Sequence, residues 1–258
     1  MNKKDLSFLD KMFVNNNLNN FQILIINQTT PNYILKSSLN NIRIINTFEY
    51  GLSKSRNLAI ENAIGDICLI ADDDVEYVKG FKKIITDAYI LHNNAGAIIF
   101  NSEINGYLRN PKYLLQSKRV TRIKECFSVT SVDISFRRKY IQNSNIKFNV
   151  LMGLNSPFMS GEEFVFLNDI LKQTKIYYKD KLILRHSEIS TGTKISLMQI
   201  IPNYAIQYHL VYPNMFYFKV VKLIIHLLFR REISISKIHL IFSMCLKARN
   251  KYLKLLTN

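Results

Sequence analysis

The chain has 258 residues, 48% of them hydrophobic and 21% charged, which excludes a disordered or low-complexity protein and leaves room for one α/β domain with an appendage. Lys plus Arg outnumber Asp plus Glu by 35 to 19, and the resulting +16 suits anionic partners without choosing among nucleic acid, an acidic membrane surface and phosphorylated substrates. Cys68, Cys126 and Cys245 lie far apart with no CxxC spacing, so reduced thiols in a cytosol are expected rather than a disulfide framework.

The opening Met1-Asn2-Lys3-Lys4-Asp5 lacks the apolar run of a signal peptide, and residues 1–20 read as a polar, Asn-rich lead-in. Ile23 to Ile26 is a continuous apolar run ending at Asn27-Gln28-Thr29-Thr30-Pro31, the pattern of a strand buried on both faces. Ile42 to Ile45 predicts a second strand. A helix follows, with Ser53 as its cap, Leu58, Ala59, Ala63 and Ile64 as its buried face, and Gly65 as its end. Ile67-Cys68-Leu69-Ile70-Ala71 predicts an apolar strand running into Asp72. Next come a helix with Ile84, Ile85, Ala88 and Leu91 on one side and a strand over Ala97–Phe100. This alternation predicts a largely parallel sheet covered on both faces. Residues 101–150 are irregular and basic. A turn at Leu154–Pro157 precedes a helix over Glu162–Lys172, and a short strand over Leu182–Leu184 ends at Arg185-His186.

From about Ser196 the texture changes to mixed aromatic, aliphatic and basic residues. The longest apolar stretch, Phe216 to Phe229, is interrupted by Lys219, Lys222 and His226 and falls short of the ~18 residues a spanning helix needs. Such a segment suits an interfacial helix on an anionic leaflet, and equally a helical cap packed on the rest of the chain. The expected location is the cytoplasm, with peripheral contact to the inner face of the cell membrane. Neither a Walker A loop nor a GxGxxG pattern occurs, and no nucleic-acid-binding module is recognisable, so nucleic acid is not an expected partner.

Two carboxylate groups stand out. Asp72-Asp73-Asp74 follows an apolar strand, where ligands bind in open α/β sheets. Alternate residues of an extended chain point the same way, so Asp72 and Asp74 share a side and Asp73 turns elsewhere. Hard oxygen donors suit Mg²⁺ or Mn²⁺ bridging to substrate phosphates. The competing explanation is a solvated acidic turn with one Asp capping the next helix. Glu162-Glu163 opens a helix, and there the competing explanation is a capping box with Ser160 as cap and Glu163 at the third helical position.

Gly51-Leu52-Ser53-Lys54-Ser55-Arg56-Asn57-Leu58-Ala59, then Gly65-Asp66-Ile67, then Ala71-Asp72-Asp73-Asp74-Val75 resembles the core of family 2 glycosyltransferases with the GT-A fold. Gly161-Glu162-Glu163-Phe164 with Phe166-Leu167 is similar to their Glu-Asp catalytic helix, and Arg185-His186 falls where many have a His. The resemblance spans roughly residues 21–190. It implies a GT-A α/β catalytic domain over 1–195, mostly parallel in its central sheet, with a helical extension over 196–258. It also implies inverting transfer of a sugar from a nucleoside-diphosphate donor, UDP-sugar favoured, to a glycan or lipid-linked glycan in surface-polysaccharide synthesis.

The donor-binding set implied is Asn27, Gln28, Arg56, Asn57, Asp72 and Asp73. The metal set is Asp74, Asp72 and His186, holding Mn²⁺ or Mg²⁺. Glu163 is the implied base, one methylene longer than the family's usual Asp, with Glu162 in reserve. The segment Ser131 to Arg138, ahead of Phe148 and Gly153, resembles the acceptor-side wall, or else is a strand end followed by a solvated basic helix. The alternatives are a nucleotidyltransferase, for which no triphosphate-gripping loop follows the first strand, and a non-catalytic basic protein binding membrane or nucleic acid, which leaves the Asp triplet unexplained.

Overall fold

A computed structural model describes residues 3–108, 116–186 and 196–257. After the short α1 (Phe8–Met12), the first apolar run forms β1 (Ile23–Gln28), which pairs in parallel with β2 (Ile42–Thr47), Ile23 lying opposite Ile42. After α2 (Leu52–Asn62) the chain enters β3 (Ile67–Leu69), crosses the acidic triplet, and forms β4 (Val75–Tyr77) and α3 (Phe81–Leu91). The long β5 (Ala95–Ile104) is followed by β6 (Tyr107–Leu108), β7 (Lys118–Val120), β8 (Ile134–Arg137) and the short α4 (Arg138–Asn143). Then come α5 (Glu162–Gln173) and β9 (Lys175–His186).

The main sheet runs β3-β8-β5-β9-β4, with β6 on β5 and β7 on β9. It is mixed rather than largely parallel: among the described residues only β5–β9 is parallel in it, and β8 and β4 run opposite to the strands they join. Apolar runs look alike whichever way the neighbour runs, so direction was not legible in them. The reason for the continuous apolar pattern in β5 is coverage on both faces. Ala97 and Ile99 enter one core with Phe166 and Leu167 of α5, while Ile98 and Phe100 enter the other with Ile85 and Ala88 of α3.

Because β3 and β4 stand at opposite ends of this strand order, residues 70–74 join the two edges of the path. That connection carries the three aspartates. No Asp of the triplet caps a helix: β4 follows the triplet, and α3 starts later, from Gly80 with no side-chain cap. On α3, Leu91 is exposed and Phe81 and Tyr89 join Ile85 and Ala88 inside, so the predicted face is rotated.

The C-terminal region is helical, with α6 (Leu197–Val211), α7 (Phe216–Phe229) and α8 (Ile238–Leu256). Its core includes Ile201, Ile206, Val220, Leu227, Ile241 and Cys245 together with Met152, Phe158 and Val165 of the preceding part, so these helices pack on the rest of the molecule. The boundary expected at residue 195 lies outside the described residues. Among the described residues no helix is long and apolar enough to cross a membrane.

Candidate active site

A helix on a protein surface normally buries apolar residues and exposes polar ones. α2 does the reverse at its start. Ser53, Arg56, Asn57 and Ile60 form its buried stripe, at spacings of three and four residues, whereas the predicted buried residue Ile64 is 56% exposed. Ser53 does not cap the helix; Gly51 occupies that position, and the buried Ser53 hydroxyl donates to the Met152 carbonyl at 2.6 Å. Each buried polar group needs a partner, and the partners define a site.

Arg56 is the centre of it. Its Nη1 donates to Glu162 Oε1 at 2.9 Å and to Glu163 Oε1 at 3.4 Å, and its Nη2 donates to Ser131 Oγ at 2.6 Å. The guanidinium carbon lies 5.3 Å from the centre of the Phe148 ring, which stacks on Phe166 at 4.0 Å. A planar fork on an aromatic face, shared among three acceptors, is an arrangement that lysine cannot reproduce. Glu162 is 3% exposed, and Glu163 is more open, its side chain 18% exposed. Burial, reinforced by Glu163 and opposed by Arg56, pushes the Glu162 carboxyl up to about 8.

The predicted capping box does not form. Gly161, not Ser160, precedes the first turn of α5, so Glu162 and Glu163 are its first two residues and no side chain caps it. Capping therefore accounts for neither glutamate. Two glycines admit the crowding around them. Gly153 (φ +98°) carries backbone against Ser53 and Glu162, and Gly161 (φ +93°) lies under Gln207 of α6. A Cβ on Gly161 would stand 2.2 Å from Gln207 Nε2. Gly161→Ala is thus expected to lower stability by ~1–3 kcal/mol through strain and overpacking. Adding Gln207→Ala should restore part of the loss by making space while leaving the backbone strain, and full recovery in a melting experiment would refute the strain component.

Asp73 and Asp74 lie in a turn rather than in extended chain, and the three aspartates have different surroundings. Asp73 points away, its carboxylate 2.7 Å from Lys3 Nζ. Asp74 Oδ1 lies 3.1 Å from His186 Nε2, because β4 pairs antiparallel with β9 and sets Val75 opposite His186. Asp72 is half-buried; its burial holds the carboxyl above the usual range, Arg56 and His186 pull it down, and Asp74 and Glu163 push it further up. One carboxyl therefore feels residues from α2, from α5 and from the triplet's own end of the sheet.

Not every expected residue joins this cluster. Gln28 donates to the carbonyls of Glu49 and Gly51, tying down the loop that leads into α2. Asn27 donates to Asn46 Oδ1 at 3.0 Å. Both polar atoms of the Asn57 amide bond the backbone of Phe148. These three position the frame of the site through the protein's own groups. Sequence reasoning set Ser131, and Phe148 and Gly153 after it, only in or beside a segment resembling an acceptor wall, and it did not single out Gln207. Ser131 opens a segment read as an acceptor wall or a strand end; it belongs to a short turn before β8, and its hydroxyl serves Arg56.

No protein-family model and no curated protein matches the chain. Solved structures do resemble it. Residues 1–349 of S. aureus TarS match with a TM-score of 0.54 at 12% identity, covering 96% of this chain and 67% of that one. The same protein in complex with UDP-GlcNAc gives 0.56 at 15%, over 79% of this chain and 61% of that one. Its complex with UDP gives 0.56 at 16%, over 91% and 72%. The fold is GT-A-like. This chain accordingly spans about two thirds of TarS residues 1–349.

Among the described residues no three His, Cys, Asp or Glu side chains converge on a common metal position. Asp72, Asp74 and His186, the expected trio, do not form such a group. Asp74 and His186 remain as an adjacent oxygen–nitrogen pair, with the Asp74 side chain 52% exposed. This donor set fits a cation that takes one or two protein ligands and completes its shell with substrate phosphates.

Proposed function

We propose that this chain is an inverting glycosyltransferase of the family 2 type, moving a sugar from a nucleoside-diphosphate donor, UDP-sugar favoured, to a hydroxyl of a glycan or lipid-linked glycan. The observation that carries the reading is Arg56 gripping both glutamates of α5 while acting on Asp72 of the triplet. The TarS complexes with UDP-GlcNAc and UDP support it, since a protein of this fold takes those ligands. We place the reaction on the cytoplasmic side, in assembly of a surface polysaccharide.

In this reading Glu163 accepts the proton of the acceptor hydroxyl as its oxygen bonds to the anomeric carbon. The bond from that carbon to the diphosphate oxygen breaks, and its electron pair leaves with the nucleoside diphosphate. Glu163 has the role because it is the more open of the pair; Glu162, buried and 2.9 Å from Arg56, positions rather than reacts. Asp72 lies on the donor side and Asp74 with His186 holds a divalent cation, Mn²⁺ or Mg²⁺. When bound, such an ion supplies positive charge to the departing diphosphate.

Thermal-shift measurement with UDP, with and without Mn²⁺, tests the donor half. Asp74→Ala should lose the Mn²⁺-dependent stabilisation by UDP. Asp73→Ala should keep it, losing only an exposed ion pair worth ~0–1 kcal/mol. Equal behaviour of the two variants would overturn the metal assignment, and no protection by any nucleoside diphosphate would overturn the transferase reading.

A further inference from the structure

α7 is apolar on two opposite sides. One side, with Phe216, Val220, Leu223, Ile224 and Leu227, is buried in the C-terminal core. On the other, Phe218, Val221, Ile225 and Phe229 are 60%, 45%, 47% and 85% exposed. At about 100° per residue these four fall within an arc of about 80°, centred opposite the buried side. A helix that packs on a protein and faces water carries polar residues there. Beyond its C-terminus, Ile235 and Leu240 are 78% and 50% exposed as well.

Basic residues flank the stripe. Lys222, then Lys219 and Arg230, follow it around one side of the helix, and Arg231 and Lys237 come next in the chain. From residue 196 to 257 there are nine Lys and Arg (219, 222, 230, 231, 237, 247, 249, 251, 254) against Glu232 alone, so nine minus one gives +8, half of the chain's +16.

We infer that the outer face of α7 docks on an anionic lipid bilayer, lying in the plane of the membrane with Phe218, Val221, Ile225 and Phe229 inserted at the headgroup boundary. Apolar side chains on one arc with cations beside them match both components of such a surface. Fourteen residues at ~1.5 Å each give ~21 Å, short of a ~30 Å hydrocarbon core, so the helix lies on the bilayer and does not cross it. A second copy of the chain is a poorer occupant, because a symmetric contact would set Lys222 and Arg230 of each copy near like charges. A polyanion such as nucleic acid complements the charge but leaves the apolar stripe unmatched. The inference holds whether or not the chain transfers sugar.

The test is co-flotation of the full chain with vesicles of phosphatidylcholine alone and with about 30 mol% phosphatidylglycerol. The chain should float with the anionic vesicles and not with the neutral ones, and high salt should weaken its retention. Ile225→Glu combined with Phe229→Glu should reduce binding by about tenfold or more, at an unchanged melting temperature. Should that variant fold poorly, Lys222→Glu combined with Arg230→Glu replaces it, with the same expected loss. The inference is overturned if the chain stays unbound with anionic vesicles or if the variants float as well as the original chain. It is also overturned if the chain forms a concentration-dependent dimer that the variants abolish, which would make the face a contact between copies.

Discussion

Replacing Glu163 with Gln is expected to slow sugar transfer by about 10²–10⁴-fold while leaving UDP binding within about twofold. Gln keeps the size of the side chain and an oxygen for Arg56, now 3.4 Å from Glu163 Oε1, and removes only the ability to take a proton. Donor binding should survive because the proposed cation ligands are on another part of the chain, in the triplet and at the end of β9. Glu163→Asp should recover part of the rate, being the acid usual in the family that the sequence resembles. The decisive measurement is single-turnover transfer beside a binding isotherm for UDP. Full-speed transfer by Glu163→Gln would remove Glu163 as base and leave Glu162 to be tested in the same way. Loss of both binding and transfer would point to a collapsed site.

The readable parts of this molecule were those in which local pattern and tertiary role agree. Ile23 to Ile26 reads as a buried strand and lies in one, and the strand read over Ile67 to Ala71 forms only over Ile67 to Leu69. The helix predicted over Glu162–Lys172 forms as Glu162–Gln173. The order of triplet and glutamate pair along the chain was visible too, since each follows a recognisable apolar or glycine signal. α2 failed for an instructive reason. Leu58, Ala59, Ala63 and Ile64 look like a buried face, but the groove beneath α2 is lined by carboxylates and carbonyls, so the helix turns Ser53, Arg56 and Asn57 inward instead. The partners of Arg56 lie 75, 106 and 107 positions away, and nothing local links them to it. The capping box failed similarly. Ser160 stands at the right spacing, yet Gly161, its backbone left-handed under Gln207, starts the helix one residue later.

Removing Arg56 should be the most damaging change to stability, and its effect should grow with pH. Arg56→Ala leaves Glu162, 3% exposed, beside Glu163 with no cation between them. Breaking a buried ion pair from one side costs ~3–5 kcal/mol when the remaining charge cannot escape. Here it can escape by taking a proton, because burial and Glu163 already raise the Glu162 carboxyl to about 8 against the pull of Arg56. A carboxyl whose folded pKa is raised binds more protons folded than unfolded, so stability falls as pH rises from the ordinary carboxylate range through the folded value. In the original chain that decline runs from about 4.5 to about 8. Without Arg56 the folded value moves higher still, and the decline continues where the original chain has levelled off. Urea unfolding at intervals from pH 6 to 9 should therefore show the gap between variant and original widening above pH 8, by up to ~1.4 kcal/mol per pH unit for one proton. Adding Glu162→Gln to Arg56→Ala removes the titrating group and should make the gap nearly independent of pH. Arg56→Lys keeps the charge but not the fork to Glu162, Glu163 and Ser131, and should fall between the two. A gap of constant size across this range would mean that Glu162 stays ionised and that Arg56 acts through packing on Phe148 instead.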